Sequence, residues 1–443
     1  MKAKHKVHLI SLGCAKNLVD SENMLGILKE KGAVLVSTIE EADVAVINTC
    51  GFIQSAVEEA LDTILQIAAE KKKGRLKRLL VAGCLVQRYG YKLRKEIPEV
   101  DGWIGTGEFP LVGTLLDQGQ SVEKPVRIGV PAFLADHKTP RVLSTPFYTA
   151  YLKIAEGCSH QCSYCVIPKL RGRFRSRSVA SLVQEARWMA DNGVKEMNLI
   201  AQDTTMYGMD LARRTTLEDL LEKLLTVDGL RWIRVLYSHP SGISDRLLDL
   251  MDTEEALCPY LDIPLQHVNP GILLAMGRNE GQDLWGLIER VRTRKRRISL
   301  RTTFMVGFPG ETEKAFEQLC QFVKEAEFDH LGAFVFSPEK GTPADRMRRK
   351  VRPGRAQERL DAIMNLQREI SRKKNLAMVG KTVLALLEGA SPETELLLSG
   401  RTAVMAPDVD GRVLINKGAG KVGEMVSVLI TEAHPYDLVA EIL

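Results

Sequence analysis

Two stretches of this 443-residue chain, 7–105 and 148–340, alternate short apolar runs with helical patterns, and that alternation constrains the fold more than any other feature. A strand, a helix and a second strand in succession build a parallel sheet with right-handed crossovers. In the first stretch KVHLISL, AVLVST, ADVAVINT and RLLVAG read as strands; DSENMLGILKEKG, ending at Gly32, and GFIQSAVEEALDTILQIAAEKK read as helices. In the second, YTAYLKIAEG, KEMNLIAQD, RWIRVLYSHP, YLDIPLQH, SLRTTFMVGFPG and HLGAFVFSPE read as strands, with helical patterns such as SLVQEARWMADNG and EKAFEQLCQFVKEAEF between them. Every strand of a parallel sheet ends at the same edge, and ligands gather there.

Six of the eight cysteines follow such strands. Cys14, Cys50 and Cys84 come after the first strand, ADVAVINT and RLLVAG, at separations of 36 and 34 residues. With a flavodoxin-like strand order those strands are neighbours around the switch point, so the three thiols meet in space. In EGCSHQCSYC (156–165), Cys158, Cys162 and Cys165 follow the first strand of the second stretch at spacings of four and three. A structural zinc site takes four closed ligands, whereas three thiolates on a four-iron cluster leave one iron open to chemistry. Six strand units predict an open (β/α)6 barrel related to the eight-stranded TIM type. Its carboxyl rim would collect Gln202, Asp203, His239, Gln266, His267 and Glu311 beside the cysteine loop. Cys258 and Cys320 sit in apolar surroundings and read as inert core thiols.

Residues 341–374 read as helical and basic, and from 375 the short strands KTVLALLEG, ELLLSG, GRVLINKGAG, EMVSVLITEA and DLVAEIL predict a small antiparallel β-barrel of the OB-like kind. The expected domains are 5–120, 144–373 and 375–442, an α/β multidomain architecture. The last segment carries nine acidic against five basic residues, while the whole chain is +5. Such a barrel suits a basic protein partner better than a phosphate backbone. KKKGRLKR (71–78) falls at a helix C-terminus, where cations complement the dipole. No apolar run approaches the roughly 20 residues of a membrane span, and the N-terminal one is too short for a signal peptide. A cytoplasmic monomer with no membrane contact is expected, and in that compartment cysteines serve metal binding or catalysis rather than disulfides.

C-x3-C-x2-C directly after a barrel strand, in EGCSHQCSYCVIP, resembles the radical S-adenosylmethionine enzymes. A further cysteine triad in an N-terminal domain, followed by a radical domain and a small TRAM-type barrel, resembles the methylthiotransferases along nearly the whole chain. SLGCAKNLVDSE, KIAEGCSHQCSYCVIPKLRGRFRSR, AQDTTMYG and LDIPLQH are similar to the members that modify small-subunit ribosomal protein S-twelve. The tRNA-modifying relatives usually carry GCQMN and GQNV where this chain has Gly13-Cys14-Ala15-Lys16-Asn17 and Ala201-Gln202-Asp203-Thr204. The resemblance implies two 4Fe-4S clusters: one on Cys158, Cys162 and Cys165 that cleaves S-adenosylmethionine to a deoxyadenosyl radical, and an auxiliary one on Cys14, Cys50 and Cys84 that carries the sulfur. It implies S-adenosylmethionine as both radical source and methyl donor, and the β-carbon of an aspartate on the ribosomal protein as acceptor. It also implies cofactor contacts from Tyr164, Gln202, Gln266 and Arg301, with electrons from a flavodoxin or ferredoxin.

Arg171, Arg173, Arg175 and Arg177 of RGRFRSR either pair with carboxylates of cofactor or substrate or form a solvated basic loop. One rival reading keeps the chemistry and places it on tRNA, with RTRKRR (292–297) and RMRRKVRPGR (346–355) as phosphate contacts. Another is an iron–sulfur electron carrier without catalysis, a task for which two α/β domains are excessive.

Overall fold

The computed structural model describes residues 5–117, 124–278, 283–392, 394 and 396–443. Its first sheet contains β1 (Lys6–Ser11), β2 (Val34–Leu35), β3 (Val44–Thr49), β4 (Arg78–Gly83), β5 (Gly102–Ile104) and β6 (Val126–Arg127) in the order β2-β1-β3-β4-β5-β6. Every pair is parallel. The first five strands take the flavodoxin-like order, so β1, β3 and β4 lie side by side, and all six residues of β3 are buried, as in a sheet covered on both faces. Helices α1 (Ala15–Glu30), α2 (Gln54–Lys72), α3 (Cys84–Glu96) and α4 (Val112–Asp117) flank the sheet. The basic run after α2 begins in its last turn, at Lys71 and Lys72, as its sequence suggests.

α1 starts at Ala15 rather than near Asp20, because Gly13 at φ +91° turns the chain sharply off β1 and Cys14 takes the N-cap position. Its buried face carries Lys16, Asn17, Asp20, Ser21, Glu22 and Asn23. That face meets the second domain through hydrogen bonds, so no apolar stripe marks the helix in the sequence. The linker between the domains crosses α1 so closely that a Cβ on Gly26 would lie 2.3 Å from the Pro140 carbonyl carbon. Arg141 and Ser144 of the linker both bind Glu22.

The second sheet contains β7 (Thr149–Lys153), then, after the short antiparallel pair β8 (Ala155–Glu156) and β9 (Arg175–Ser176), β10 (Glu196–Ile200), β11 (Trp232–Val235), β12 (Leu257–Gln266), β13 (Ser299–Val306) and β14 (His330–Val335). Their order is β14-β13-β12-β11-β10-β7, all parallel, which is the open six-stranded barrel. Its outer helices begin on N-caps whose side chains accept a backbone N–H: Ser178, Thr216, Ser244, Asn269, Asp283 and Thr312. Within 341–374 the chain is less helical than its composition suggests. The long helix Pro353–Leu376 starts at its proline, and RMRRKVR precedes it outside any α-helix, since the residue before a proline is pushed out of the helical region. Among the described residues no helix is long and apolar enough to cross a membrane.

The third unit is a closed barrel of β15 (Thr382–Ala390), β16 (Leu398–Thr402), β17 (Val413–Lys417), β18 (Met425–Ala433) and β19 (Leu438–Ile442), ordered β15-β16-β17-β19-β18. It departs from the expected purely antiparallel pairing at one seam, where β17 runs parallel to β19. A ring of five strands cannot alternate direction throughout, so one parallel pair is unavoidable.

Strand periodicity shows how this barrel docks. Ala150, Leu152, Met197, Leu199, Ile233 and Val235 of the radical-type sheet pack on its own helices. Tyr151, Ile200, Trp232 and Tyr260 face the other way, against Leu386, Ala406 and Met425 of the third unit. The loop after β16 enters that concave face. Tyr151 donates to Asp408 (3.2 Å), Tyr260 to Asp410 (2.6 Å) and Arg234 to the Ala403 carbonyl (2.7 Å). Glu196, fully buried, accepts from Arg401 at 2.6 Å and from Arg234 at 2.9 Å. Part of the acidic surplus of residues 375–443 is thus spent inside the barrel. Glu196→Ala leaves two buried guanidiniums facing each other and costs about 3–5 kcal/mol, read as a lower urea midpoint; an unchanged midpoint contradicts this assignment.

Candidate active site at the facing sheet edges

Two glycines assemble the first cysteine group. A Cβ on Gly13 would sit 2.7 Å from Cys50 Cβ and 3.2 Å from its Sγ. A Cβ on Gly51 would lie 2.7 Å from the Leu85 nitrogen and 2.9 Å from the Cys84 carbonyl carbon. The ends of β1, β3 and β4 therefore touch, and Cys14 (exposed), Cys50 (half-buried) and Cys84 (buried) come together. The second group lies on the loop after β8. There Cys158 N–H donates to the Gly172 carbonyl (3.1 Å) and Cys165 N–H to the Cys162 carbonyl (3.1 Å). The Ile167 N–H, opening α5 (Ile167–Arg171), points at Cys165 Sγ (3.4 Å). Ser163 fastens the loop to the segment after β12, through its N–H to the Met276 carbonyl (2.9 Å) and its hydroxyl to the Ala275 carbonyl (2.7 Å).

Each group offers three sulfur donors, the ligand type an iron–sulfur cluster takes, and three on a four-iron cluster leave one iron open. Among the described residues, His160, Asp203 and His239 bring their donor atoms within 4.8 Å of one another. Burial, followed by the proximity of the other thiols, pushes Cys158 up to about 11 and Cys165 up to about 12. Burial likewise pushes Cys84 up to about 12, opposed by the Arg171 charge. Thiolates in such surroundings need metal charge to form. Cys14 differs: desolvation opposes its ionisation, but Lys16, Arg171 and the backbone N–H groups of Asn17 and Lys16 outweigh it and hold the thiol below its usual range.

The two groups belong to one junction. Lys16, two residues after Cys14, places its ammonium 3.2 Å from the centroid of Tyr237, just beyond the end of β11. Asp20 binds Lys153 and Arg171 (2.8 Å), and both also bind Glu156, at 2.6 and 3.1 Å. Burial opposes ionisation of Glu156, but Lys153 and Arg171 overcome it and bring the carboxyl down to about 2. On the other flank Arg88 pairs with Glu339 at 2.9 Å.

The sequence-predicted contacts divide. Tyr164 packs against the apolar cluster of Met276, Met305 and Phe308. The side-chain carbonyls of Gln202 and Gln266 are buried without a partner, and Gln266 holds φ +68°, a strained conformation for a residue with a Cβ. Two orphaned acceptors at the barrel mouth fit a ligand rich in N–H and O–H donors, as S-adenosylmethionine is. Arg301 is engaged elsewhere, by Asp410 (3.3 Å) and Asp262 (3.4 Å) beneath the mouth. His267 is buried and held by Asn269 N–H (2.9 Å) and Glu311 (3.4 Å). Of RGRFRSR, Arg171 and Arg177 are buried and Arg173 is exposed. Cys258 and Cys320 pack within apolar clusters.

Two participants escaped the sequence pattern. Arg278, after the Gly277 turn (φ +71°), is buried, donates to the Pro264 carbonyl (2.9 Å) and bears electrostatically on Tyr164 and Cys162. His160 donor–acceptor pairs with Asp203 at 2.6 Å and stacks on His239 with ring centroids 4.4 Å apart. Neither has a periodic or spacing signal; only the turn glycine beside Arg278 hints at a close approach.

Comparison with known proteins follows this geometry. Residues 6–105 match the uncharacterized protein family UPF0004, 152–323 the radical SAM superfamily and 379–443 the TRAM domain. A ribosomal protein uS12 methylthiotransferase RimO of Geotalea uraniireducens (strain Rf4) is 48% identical over 442 residues, covering 99% of each chain. One from Trichlorobacter lovleyi is 47% identical over 443 residues, covering 100% of this chain and 99% of its own. The chain belongs to the ribosomal protein uS12 methylthiotransferase family. It is a radical S-adenosylmethionine methylthiotransferase, with iron–sulfur and S-adenosylmethionine as its cofactors. Among solved structures, the radical S-adenosylmethionine methyltransferase TsrM of Kitasatospora setae, with cobalamin and a [4Fe-4S] cluster bound, shares the fold. Its TM-score is 0.57 at 15% identity, over 77% of this chain and 74% of that one.

Two outcomes check the thiol geometry of this methylthiotransferase. Gly13→Ala forces a Cβ onto Cys50 from a left-handed conformation. Cobalt(II) titration of the apo protein, followed by thiolate-to-metal charge-transfer absorption, then shows the first site lost and the second retained. At neutral pH iodoacetamide labels Cys14 before the other five cysteines, because a lowered pKa and exposure give it the larger reactive thiolate fraction. Peptide mass spectrometry reads the order, and first labelling of Cys84 or Cys165 contradicts it.

Proposed function

We propose that this chain methylthiolates the β-carbon of an aspartate on ribosomal protein uS12, small-subunit protein S-twelve. It would use one 4Fe-4S cluster on Cys158, Cys162 and Cys165 and an auxiliary one on Cys14, Cys50 and Cys84. What supports the reading is the junction itself: two cysteine groups at the carboxyl ends of strands of two parallel sheets, on domains joined by the Asp20–Arg171–Glu156–Lys153 network. The shared name of relatives that match over their full length supplies the substrate. When bound, the first cluster and S-adenosylmethionine supply a hydrogen-abstracting radical, and the auxiliary cluster with a second S-adenosylmethionine supplies the methylthio group. The chain's own residues orient and exclude. Tyr164 walls the pocket on the Cys162 side, Gln202 and Gln266 offer acceptors to the cofactor's donors, and Lys16 with Tyr237 closes the mouth between the domains. Electrons would come from a flavodoxin or ferredoxin.

In RTRKRR, the segment best suited by composition to tRNA, the four arginines have partners within the protein. Arg292 donates to the Glu327 carbonyl, Arg294 to Asp245 and Arg297 to Asp329, while Arg296 caps the carbonyls of Glu254 and Leu257. Residues 375–443 also supply partners to Glu196, Arg234 and Tyr260 of the radical domain.

A competition assay tests the substrate. Reconstituted enzyme without oxygen receives S-adenosylmethionine, sulfide and reductant with small ribosomal subunits and tRNA together. A methylthio mass gain on an aspartate of uS12 is expected; a methylthio-adenosine in tRNA overturns the substrate. Cys14→Ala forms deoxyadenosine and no methylthio product; retention of full transfer contradicts the role given to the first triad.

A further inference from the structure

Arg171 closes α5, six residues beyond Cys165, yet its guanidinium bonds side chains of α1 in the first domain. It is buried, with Nη1 2.8 Å from Asp20 Oδ2 and 3.1 Å from Glu156 Oε1, and Nη2 3.1 Å from Asn17 Oδ1. Asn17 is itself hydrogen-bonded through its N–H to the Cys14 carbonyl at 2.8 Å. The same guanidinium acts electrostatically on the Cys84 thiol, opposing the rise that burial causes, and on Cys14 and Cys50. Around it Val166 and Leu170 pack on Cys84, with Phe52 alongside, so the arm that carries Arg171 is seated on the first triad. The loop that holds the radical-domain thiols therefore supplies a fixed positive charge to the other domain's thiols. The radical-domain group has its own buried guanidinium, Arg278, on Cys162.

We propose that Arg171 is a positioning residue for the first triad: it raises the electron affinity of the iron–sulfur centre held there, and does so only while the two domains are docked. Hydrogen bonds to cluster sulfurs and nearby charge are among the determinants of iron–sulfur potentials, and a cation favours the more negative, reduced state. A guanidinium cannot be deprotonated in a protein, so the bias is constant with pH. Because Arg171 belongs to the second domain, separating the domains removes the charge and lowers the potential. The inference rests on the reading that Cys14, Cys50 and Cys84 carry a cluster.

The test uses the full chain with Cys158, Cys162 and Cys165 all changed to Ala, leaving only the first site to load, and with Asp20→Asn so that no carboxylate is stranded when Arg171 is removed. Arg171→Met and Arg171→Lys are then compared with that parent by iron analysis and a redox titration followed by electron paramagnetic resonance. The midpoint shifts to more negative potential in the Met variant, and Lys, which keeps the charge, recovers most of the shift. Loss of iron from the Met variant with the Lys variant fully loaded supports the same charge requirement. An unchanged midpoint in the Met variant, or equal shifts or equal iron loss with Met and Lys, overturns the proposal. A parent that binds no iron overturns the auxiliary-cluster reading instead.

Discussion

Two carboxylates and two cations, buried where the helix after β1 meets the loop after β8, are the interaction on which the arrangement of this protein depends. Asp20, Glu156, Lys153 and Arg171 bond one another two against two, and Arg171 reaches on to Asn17 beside Cys14. Taking four ions from water gains little stability over an apolar contact of the same shape, and the loss of one partner would be severe. Such a set contributes direction. An apolar seam would tolerate sliding and rotation between the domains, whereas these hydrogen bonds hold in one orientation, in which both thiol groups share a junction. The proposed reaction, which passes a group from one site to a radical made at another, needs that fixed distance.

The third domain uses the same device at a different place. Its loop after β16 enters the concave face of the open barrel, and Glu196 sits between Arg234 and Arg401. A six-stranded sheet that does not close leaves an inner face uncovered, and the polar residues along it, Tyr151, Arg234, Tyr260 and Arg301, cannot be left without partners away from water. Asp408, Asp410 and backbone carbonyls of the loop provide them. The small barrel is therefore part of how the radical domain is completed, whatever else its outer surface binds.

Much of the architecture was legible in the sequence because it follows from periodicity. Parallel strands and their helices leave apolar patterns with periods near 2 and 3.6, and the strand ends located Cys14, Cys50 and Cys84 at one sheet edge before any coordinates. The failures share a cause. The start of α1 was misplaced because its buried face is polar, and the strand position of Arg301 does not reveal that the loop after β16 will reach it. Arg278 and His160 carried no signal, since a single polar residue after a turn looks the same whether it faces solvent or a thiol.

The sequence by itself determined the two parallel sheets, the strand-end placement of six cysteines and the resemblance that those motifs carry, because each depends on local pattern and chain direction. Tertiary structure alone decided which charges face which. It set Arg171 against α1 of the neighbouring domain, buried the Asp410 carboxylate beside Tyr260 and Arg301, and paired four arginines of RTRKRR with carboxylates and carbonyls. These choices are made between residues up to about 250 positions apart, as for Tyr151 and Asp408. They are fixed by the requirement that every buried charge find a partner, a condition on the folded whole that no stretch of sequence expresses.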